Sequence, residues 1–203
     1  IVDQKKTLLY ATQYTQKELK PLVDAVKDAK RVYTLGAGTA GYAAGQVAYF
    51  LRNIANIDAQ EIKSYEFNSY LPIITEDDLV IAFSQSGETA DTIEAIEEMK
   101  EKGCRVASVV NMYGTTLSRI SDYEYYTNSG PEICVASTKV FTAQCAWGYL
   151  LAMSVARKYK EAQSNIELLS KELKKLYSKN VFEQTKLIGK HMKDKEHAFI
   201  LGK

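Results

Sequence analysis

The chain has 203 residues, of which 46% are hydrophobic and 25% are charged, a composition typical of a soluble globular protein. Twenty-six Lys and Arg residues stand against 25 Asp and Glu residues, so the formal net charge is +1. This balance excludes an acidic tail protein and provides no field that favours nucleic acid or an anionic membrane. No apolar run approaches the roughly 18 residues of a membrane span, so we expect neither nucleic acid nor membrane as a partner.

The three cysteines, Cys104, Cys134 and Cys145, are odd in number and show no CxxC spacing. Such cysteines are typical of reduced thiols in the cytosol, so the sequence predicts a cytoplasmic protein. A domain of this length can bury about 70% of the surface of its unfolded chain, and it needs no disulfide or metal ion for stability.

Helical and strand-like segments alternate from the beginning of the chain. A helix around 19–26 is predicted by apolar residues at helical spacing, and a second is predicted at 42–54. A third helix follows the third strand and has Ile93, Ile96 and Met99 on one face. The predicted strands are 31–35, 58–63, 79–83, 105–110 and 123–127. This alternation predicts a parallel sheet with helices on both faces, in one of a few doubly wound topologies.

Two long helices are predicted after the fifth strand. Residues 138–158 are apolar almost all round, which predicts a buried helix and a possible contact for dimerisation. Residues 164–178 show a narrow apolar stripe among Lys and Glu, which is consistent with either a surface helix or a seam between two helices.

The first candidate loop is 36–41, with sequence GAGTAG, between the first strand and the next helix. It matches the pattern G-x-G-x-x-G, in which glycines let backbone N–H groups approach a phosphate. A dinucleotide site also needs an acidic residue at the end of the second strand. Asp58 and Glu61 are near, but the strand ends in Lys63 and Ser64. A nucleotide site, another phosphate site and a structural turn therefore remain open.

The second candidate loop is 84–89, with sequence SQSGET, directly after the third strand. Its three hydroxyls, carboxamide and glycine can surround a phosphate monoester, and hydrogen bonds to a charged group contribute roughly 1.5–3 kcal/mol each. The alternative is an ordinary helix N-cap, for which Ser and Thr are also favoured. In a sheet of order 2-1-3-4-5, the first and third strands are neighbours at the topological switch point, so both loops would flank one crevice.

The third candidate loop is 130–139, between the fifth strand and the buried helix. Ser137 is a candidate N-cap that also faces a ligand, and Lys139 suggests a carboxylate or phosphate nearby. Glu132 is either an acid or base at the rim of the crevice or a solvated loop residue. We interpret Cys134 as a thiol without a catalytic role, because no histidine lies nearby.

The only histidines, His191 and His197, have a spacing that suits neither a zinc site nor a Ser-His-Asp triad. We therefore predict no metal ion and no cofactor, and we assign no catalytic residue.

Residues 84–92 (SQSGETADT) resemble the signature of the sugar isomerase (SIS) domain of the glucosamine-6-phosphate synthase family. The resemblance continues through PEI at 131–133, VASTK at 135–139, FT at 141–142 and GT at 38–39. It covers about 30–160 well, and FILG at 199–202 resembles the first strand of the second SIS domain in that family. Both ends of the chain suggest a fragment of a longer protein.

The resemblance implies a three-layer αβα domain with a five-stranded parallel sheet of flavodoxin-like order 2-1-3-4-5 and additional C-terminal helices. It implies that residues 1–29 are a helical segment packing on the domain, that 30–160 are the SIS domain, and that 161–203 link to a truncated second SIS domain. The ligand would be fructose 6-phosphate or glucosamine 6-phosphate. The implied site residues are Ala37, Gly38, Thr39, Ser84, Gln85, Ser86, Thr89, Val135 and Ser137.

Enzymes of that family use ammonia from glutamine to convert fructose 6-phosphate to glucosamine 6-phosphate. Their catalytic residues lie in the second SIS domain and in a glutaminase domain, so we expect this chain to bind the sugar phosphate without turnover. The implied partners are those two domains and a second copy of the chain. The alternatives are a sugar-phosphate sensor in a regulator, a standalone SIS isomerase or deaminase, and a nicotinamide-dependent oxidoreductase.

Overall fold

The computed structural model describes residues 3–133 and 136–199, and it arranges five parallel strands in one sheet. The order β2-β1-β3-β4-β5 confirms the predicted topology, with β1 paired to both β2 and β3. Each predicted strand lies within one residue of the observed bounds. The strands are β1 (Val32–Gly36), β2 (Ala59–Lys63), β3 (Leu79–Ser84), β4 (Arg105–Val110) and β5 (Tyr123–Tyr126).

The central strands are buried on both faces of the sheet. In β3, Leu79, Ile81 and Phe83 join a hydrophobic cluster on one face, and Val80 and Ala82 join a cluster on the other. Because successive side chains of a strand point to opposite faces, a strand covered on both sides is mostly apolar along its length. This explains the apolar run 79–83 of β3, and in β1 the buried Thr34 hydroxyl donates to the Ala44 carbonyl at 2.9 Å.

The helices form the two outer layers of the predicted αβα arrangement. Buried residues of α1, α2, α3, α6 and α7 belong to the cluster on one face, and those of α4 and α5 belong to the cluster on the other. The helices are α1 (Gln4–Ala11), α2 (Gln16–Asp28), α3 (Gly38–Ala55), α4 (Ala90–Glu101), α5 (Thr116–Ile120), α6 (Lys139–Val155), α7 (Tyr159–Glu172) and α8 (Lys179–Met192). Short 3₁₀ helices occupy Ser64–Ser69, Leu71–Ile73 and Leu173–Tyr177.

Helix α2 contains the predicted helix at 19–26 and begins with a capping box. The Thr15 hydroxyl accepts a hydrogen bond from the Glu18 amide, and the Glu18 carboxylate accepts one from the Thr15 amide at 2.7 Å. These hydrogen bonds from the backbone and side chain of Thr15 lower the pKa of Glu18. The pattern T-x-x-E is a recognisable signal for a helix N-terminus in the sequence.

Helix α6 is buried, as the sequence predicts: eleven of its 17 residues lie in the core. Trp147 packs edge-on against Phe83, with ring centroids 6.0 Å apart. It also packs against the tilted ring of Tyr125, with centroids 5.2 Å apart. These buried residues pack inside the chain against α1, α2, α3 and α7. Contact of α6 with a second copy of the chain remains a prediction.

The C-terminal region differs from the single helix predicted at 164–178. Helix α7 ends at Glu172, a 3₁₀ helix follows, and a further helix, α8, has no buried residue. Along the predicted stripe, Ile166 is buried but Leu169 and Leu176 are exposed, so the stripe is only partly packed. Residues 200–203, which include most of the strand predicted at 199–202, lie outside the described residues. The division at residues 29 and 160 remains a prediction.

Within the described residues, no helix is both long enough and apolar enough to cross a membrane. Cys104 and Cys145 are free thiols, and Cys134 lies outside the described residues. The Cys104 thiol donates a hydrogen bond to the Thr75 carbonyl at 3.0 Å. Burial raises the pKa of Cys104 to about 11 and that of Cys145 to about 12, so both thiols are poor nucleophiles at neutral pH.

Candidate functional site

A cavity of about 400 Å³ lies where the carboxyl ends of β1 and β3 meet the helices that follow them. Eight of the nine predicted site residues line it, and the ninth, Val135, lies outside the described residues. Ala40 and Phe83 also line it; both are immediate sequence neighbours of predicted residues. The predicted residues in the lining are Ala37, Gly38, Thr39, Ser84, Gln85, Ser86, Thr89 and Ser137.

The hydroxyls of the loop 84–89 are organised by hydrogen bonds within the loop. Ser84 Oγ accepts from the Gly87 amide at 3.0 Å, and Ser86 Oγ accepts from the Glu88 amide at 3.1 Å. Ser84 Oγ and Thr89 Oγ1 share a further hydrogen bond of 3.2 Å. The bond between Ser84 and Thr89 uses the O–H group of one of them, so the Ser86 O–H and one O–H of that pair are left to act as donors. An oxyanion accepts from such donors.

Helix α4 begins directly after this loop without a side-chain cap. Its N-cap residue, Thr89, makes no capping hydrogen bond, so the structure contradicts the interpretation of 84–89 as an ordinary cap. Helix α3 also begins without a side-chain cap, after Ala37. The N-terminus of a helix carries partial positive charge and unpaired N–H groups, both of which favour an anion. Two such N-termini therefore meet at the cavity.

Contacts with the first turn of α5 and its N-cap residue, Thr115, hold the loop 84–89 in place. Gly87 has φ +68°, and a Cβ atom there would lie 2.6 Å from Thr115 Cβ and closer still to Oγ1. The Gly87 carbonyl accepts from the Leu117 amide at 3.1 Å, and the Glu88 carboxylate accepts from the Thr116 amide at 2.8 Å. Hydrogen bonding from the Thr116 backbone and side chain lowers the pKa of Glu88. These supporting contacts join residues distant in the chain, so no local pattern in the sequence predicts them.

Asn111, at the end of β4, connects the loop 84–89 to the segment that follows β5. Its backbone amide donates to the Gln85 carbonyl at 3.2 Å. Its side-chain amide donates to the Gly130 carbonyl at 2.9 Å, and its side-chain oxygen accepts from the Ser129 amide at 2.8 Å. This buried residue therefore fixes one end of the third candidate loop relative to the second.

The glycines of 36–41 have a packing role in the turn from β1 to α3. A Cβ atom at Gly36 would lie 2.8 Å from the Ala40 backbone, and one at Gly41 would lie 2.8 Å from the Gly36 carbonyl oxygen. These contacts support the structural-turn interpretation of the two positions. A dinucleotide site requires an acidic residue, and the described lining contains none. Glu61, one of the two candidates, forms an ion pair with Lys63 and lies beside Gly45.

Glu132 is a partly exposed loop residue outside the cavity lining, and its carboxylate lies at the N-terminus of α6. Its carboxylate accepts hydrogen bonds from the amides of Thr138, Lys139 and Val140. Partial burial raises the pKa of Glu132, but these hydrogen bonds and one from the Thr138 hydroxyl lower it by more. Ser137 does not cap α6, because the N-cap residue is Thr138 and makes no side-chain capping bond.

The remaining candidates lie away from the cavity. Lys139 is directed towards Asp3, with Nζ 3.9 Å from its carboxylate. His191 is exposed on α8, with Nδ1 3.2 Å from the Leu187 carbonyl oxygen. In the part of the chain that the structure describes, no cluster of three or more His, Cys, Asp or Glu residues could hold a metal ion.

Comparisons with known proteins agree with this architecture. Residues 25–154 match the family model for the SIS domain. Glutamine–fructose-6-phosphate aminotransferase of Fusobacterium nucleatum is 38% identical over 184 residues, which cover 87% of this chain and 30% of the relative. The enzyme of the same name from Thermotoga maritima is 43% identical over 138 residues, which cover 68% of this chain and 23% of the relative.

The chain therefore spans less than a third of the length of these curated relatives. Among solved structures, the C-terminal domain of glucosamine-fructose-6-phosphate aminotransferase from Francisella tularensis has a similar fold, with a TM-score of 0.75 and 24% identity. The match covers 96% of this chain and 57% of that one. The family match over more than half of the chain, together with the five-stranded parallel sheet, shows that the chain belongs to the SIS domain family.

Proposed function

We propose that the chain binds a sugar phosphate in the cavity between β1 and β3. The observation that carries this proposal is the loop 84–89, which leaves two of its three hydroxyl groups free to donate beside the uncapped N-terminus of α4. A phosphate monoester needs several donors for its terminal oxygens, and charge-assisted hydrogen bonds to them are strong. The phosphate would lie at Ser84, Gln85, Ser86 and Thr89, and the sugar would extend towards Thr39, Val135 and Ser137.

The ligand we propose is fructose 6-phosphate or glucosamine 6-phosphate. Support comes from the curated relatives, which are named glutamine–fructose-6-phosphate aminotransferase. The chain would then be the first SIS domain of such an enzyme, in which a second SIS domain and a glutaminase domain are its partners. Pairing with a second copy of the chain is part of the same proposal.

We further propose that the chain binds this ligand without converting it. Isomerisation of a sugar requires a group that removes a proton from one carbon and returns it to the next. The cavity lining in the described residues contains hydroxyl, amide and apolar side chains but no His, Asp, Glu or Lys. Formation of glucosamine 6-phosphate by the 203-residue chain alone would contradict this proposal.

Calorimetric titration of the chain tests the proposed function directly. We expect saturable binding of fructose 6-phosphate or glucosamine 6-phosphate, and much weaker binding of unphosphorylated fructose, because the loop 84–89 binds the phosphate. NAD is the control for the oxidoreductase alternative. Binding of NAD alone, or equal binding of fructose and its phosphate, would refute the proposal.

Ser86→Ala should weaken binding of the sugar phosphate about tenfold or more, because it removes a charge-assisted hydrogen bond. Stability should change by less than about 1 kcal/mol, since Ser86 is partly exposed. Ser164→Ala is a matched control, because that hydroxyl donates to the Lys160 carbonyl on the exposed side of α7. Calorimetry and thermal unfolding measure both effects, and unchanged affinity in Ser86→Ala would place the phosphate elsewhere.

A further inference from the structure

One carboxylate, that of Glu132, closes the loop between β5 and α6. Its Oε1 accepts from the Thr138 amide at 2.8 Å, the Thr138 hydroxyl at 2.7 Å and the Lys139 amide at 3.1 Å. Its Oε2 accepts from the Val140 amide at 3.1 Å. Three consecutive amides at the start of a 17-residue helix thus converge on a side chain from outside the helix.

These contacts determine where Ser137 lies. Ser137 immediately precedes Thr138, whose amide and hydroxyl both bind Glu132, and among the described residues of this loop it is the one that lines the cavity. The other end of the loop is held by Asn111, which binds Gly130 and Ser129. Glu132 thus holds the second end of the loop, next to Ser137, which lines the cavity.

The same contacts distinguish α6 from the other two helices that begin near the cavity. The N-termini of α3 and α4 have no side-chain cap, whereas that of α6 is occupied by the Glu132 carboxylate. When the N–H groups of a helix N-terminus already bind a carboxylate, they are not free to bind a second anion. An anionic ligand group is therefore directed away from α6, to the N-terminus of α4 beside the loop 84–89.

We propose that Glu132 is a positioning residue for the sugar-phosphate site, which holds Ser137 against the cavity through the first turn of α6. This inference rests on the proposed function, and it gives Glu132 a role in binding without contact to the ligand.

The test is calorimetric titration of the full chain with fructose 6-phosphate for the unmodified protein, Glu132→Gln and Glu132→Ala. We expect affinity to fall about threefold to tenfold in Glu132→Gln, which retains one acceptor oxygen, and further in Glu132→Ala. Glu18→Gln is the matched control, because Glu18 also caps a helix through an amide and a hydroxyl but lies in α2. It should lower the melting temperature and leave affinity unchanged.

A double variant separates positioning from general destabilisation. If Glu132 acts through Ser137, then Glu132→Ala combined with Ser137→Ala should bind no more than about twofold more weakly than the weaker single variant. Losses that multiply would overturn the inference, as would affinity within twofold of the unmodified chain in Glu132→Gln. If the unmodified chain binds and Glu132→Gln binds equally well, only this inference fails. If the unmodified chain binds no sugar phosphate, the proposed function fails and this inference fails with it.

Discussion

Replacing Gly87 with alanine is expected to lower the free energy of unfolding by about 2–5 kcal/mol and to weaken sugar-phosphate binding about tenfold or more. The backbone at Gly87 has φ +68°, a conformation that costs an L-residue about 1–2 kcal/mol. The new methyl group would also lie 2.6 Å from Thr115 Cβ, so either the loop or Thr115 must move. Movement of the loop would displace Ser84, which accepts a hydrogen bond from the Gly87 amide.

Gly114→Ala separates the two causes. Gly114 has nearly the same backbone conformation, φ +67°, but a Cβ atom there would meet nothing within 4 Å. We expect this variant to lose only the backbone contribution, about 1–2 kcal/mol, and to bind normally. Urea unfolding and calorimetric titration compare the variants. Equal losses of stability would show that the contact with Thr115 has no energetic role.

Trp147→Ala should lower the free energy of unfolding by about 3–5 kcal/mol, because it removes the largest fully buried side chain of the core. Trp147 packs against both Phe83 and Tyr125, which belong to different strands. Its loss would leave a cavity next to β3, and the last residues of β3 line the site. We therefore expect a smaller accompanying loss of sugar-phosphate affinity.

Trp147→Phe is the informative partner variant. It retains a ring in the same layer, and it removes the indole N–H, which is buried without a hydrogen-bond acceptor among the described residues. An unpaired buried donor is unfavourable, so its removal offsets part of the lost packing. We expect a loss below about 1.5 kcal/mol. Urea unfolding measures both changes, and a loss in Trp147→Ala no greater than in Trp147→Phe would contradict the packing assignment.

Most of the sheet and much of the candidate site could be predicted from local patterns. Strands β1 and β3 are mostly apolar because both are covered on two faces, and each lies within one residue of its predicted bounds. Residues 84–89 carry their polar side chains within six positions, so their grouping required no knowledge of distant contacts.

The C-terminal helices were harder to predict, because their pattern reflects little burial. Helix α8 has no buried residue, and the stripe along α7 leaves Leu169 exposed, so periodicity alone did not reveal where either helix begins or ends. Local signals were present nonetheless. The Ser178 hydroxyl caps α8, as the Thr15 hydroxyl caps α2, and both residues are of the type that favours an N-cap.

Two features follow from short segments alone: the alternation of strands and helices, and the hydroxyl-rich composition of the loop 84–89. A phosphomonoester held by such hydroxyls and by amides needs no basic surface, and this agrees with a net charge of +1. What supports those residues depends on packing between distant segments. Glu88 binds an amide 28 positions away, and the Glu132 carboxylate binds the first turn of α6. Such partners are brought together by packing, and sequence spacing carries no record of them.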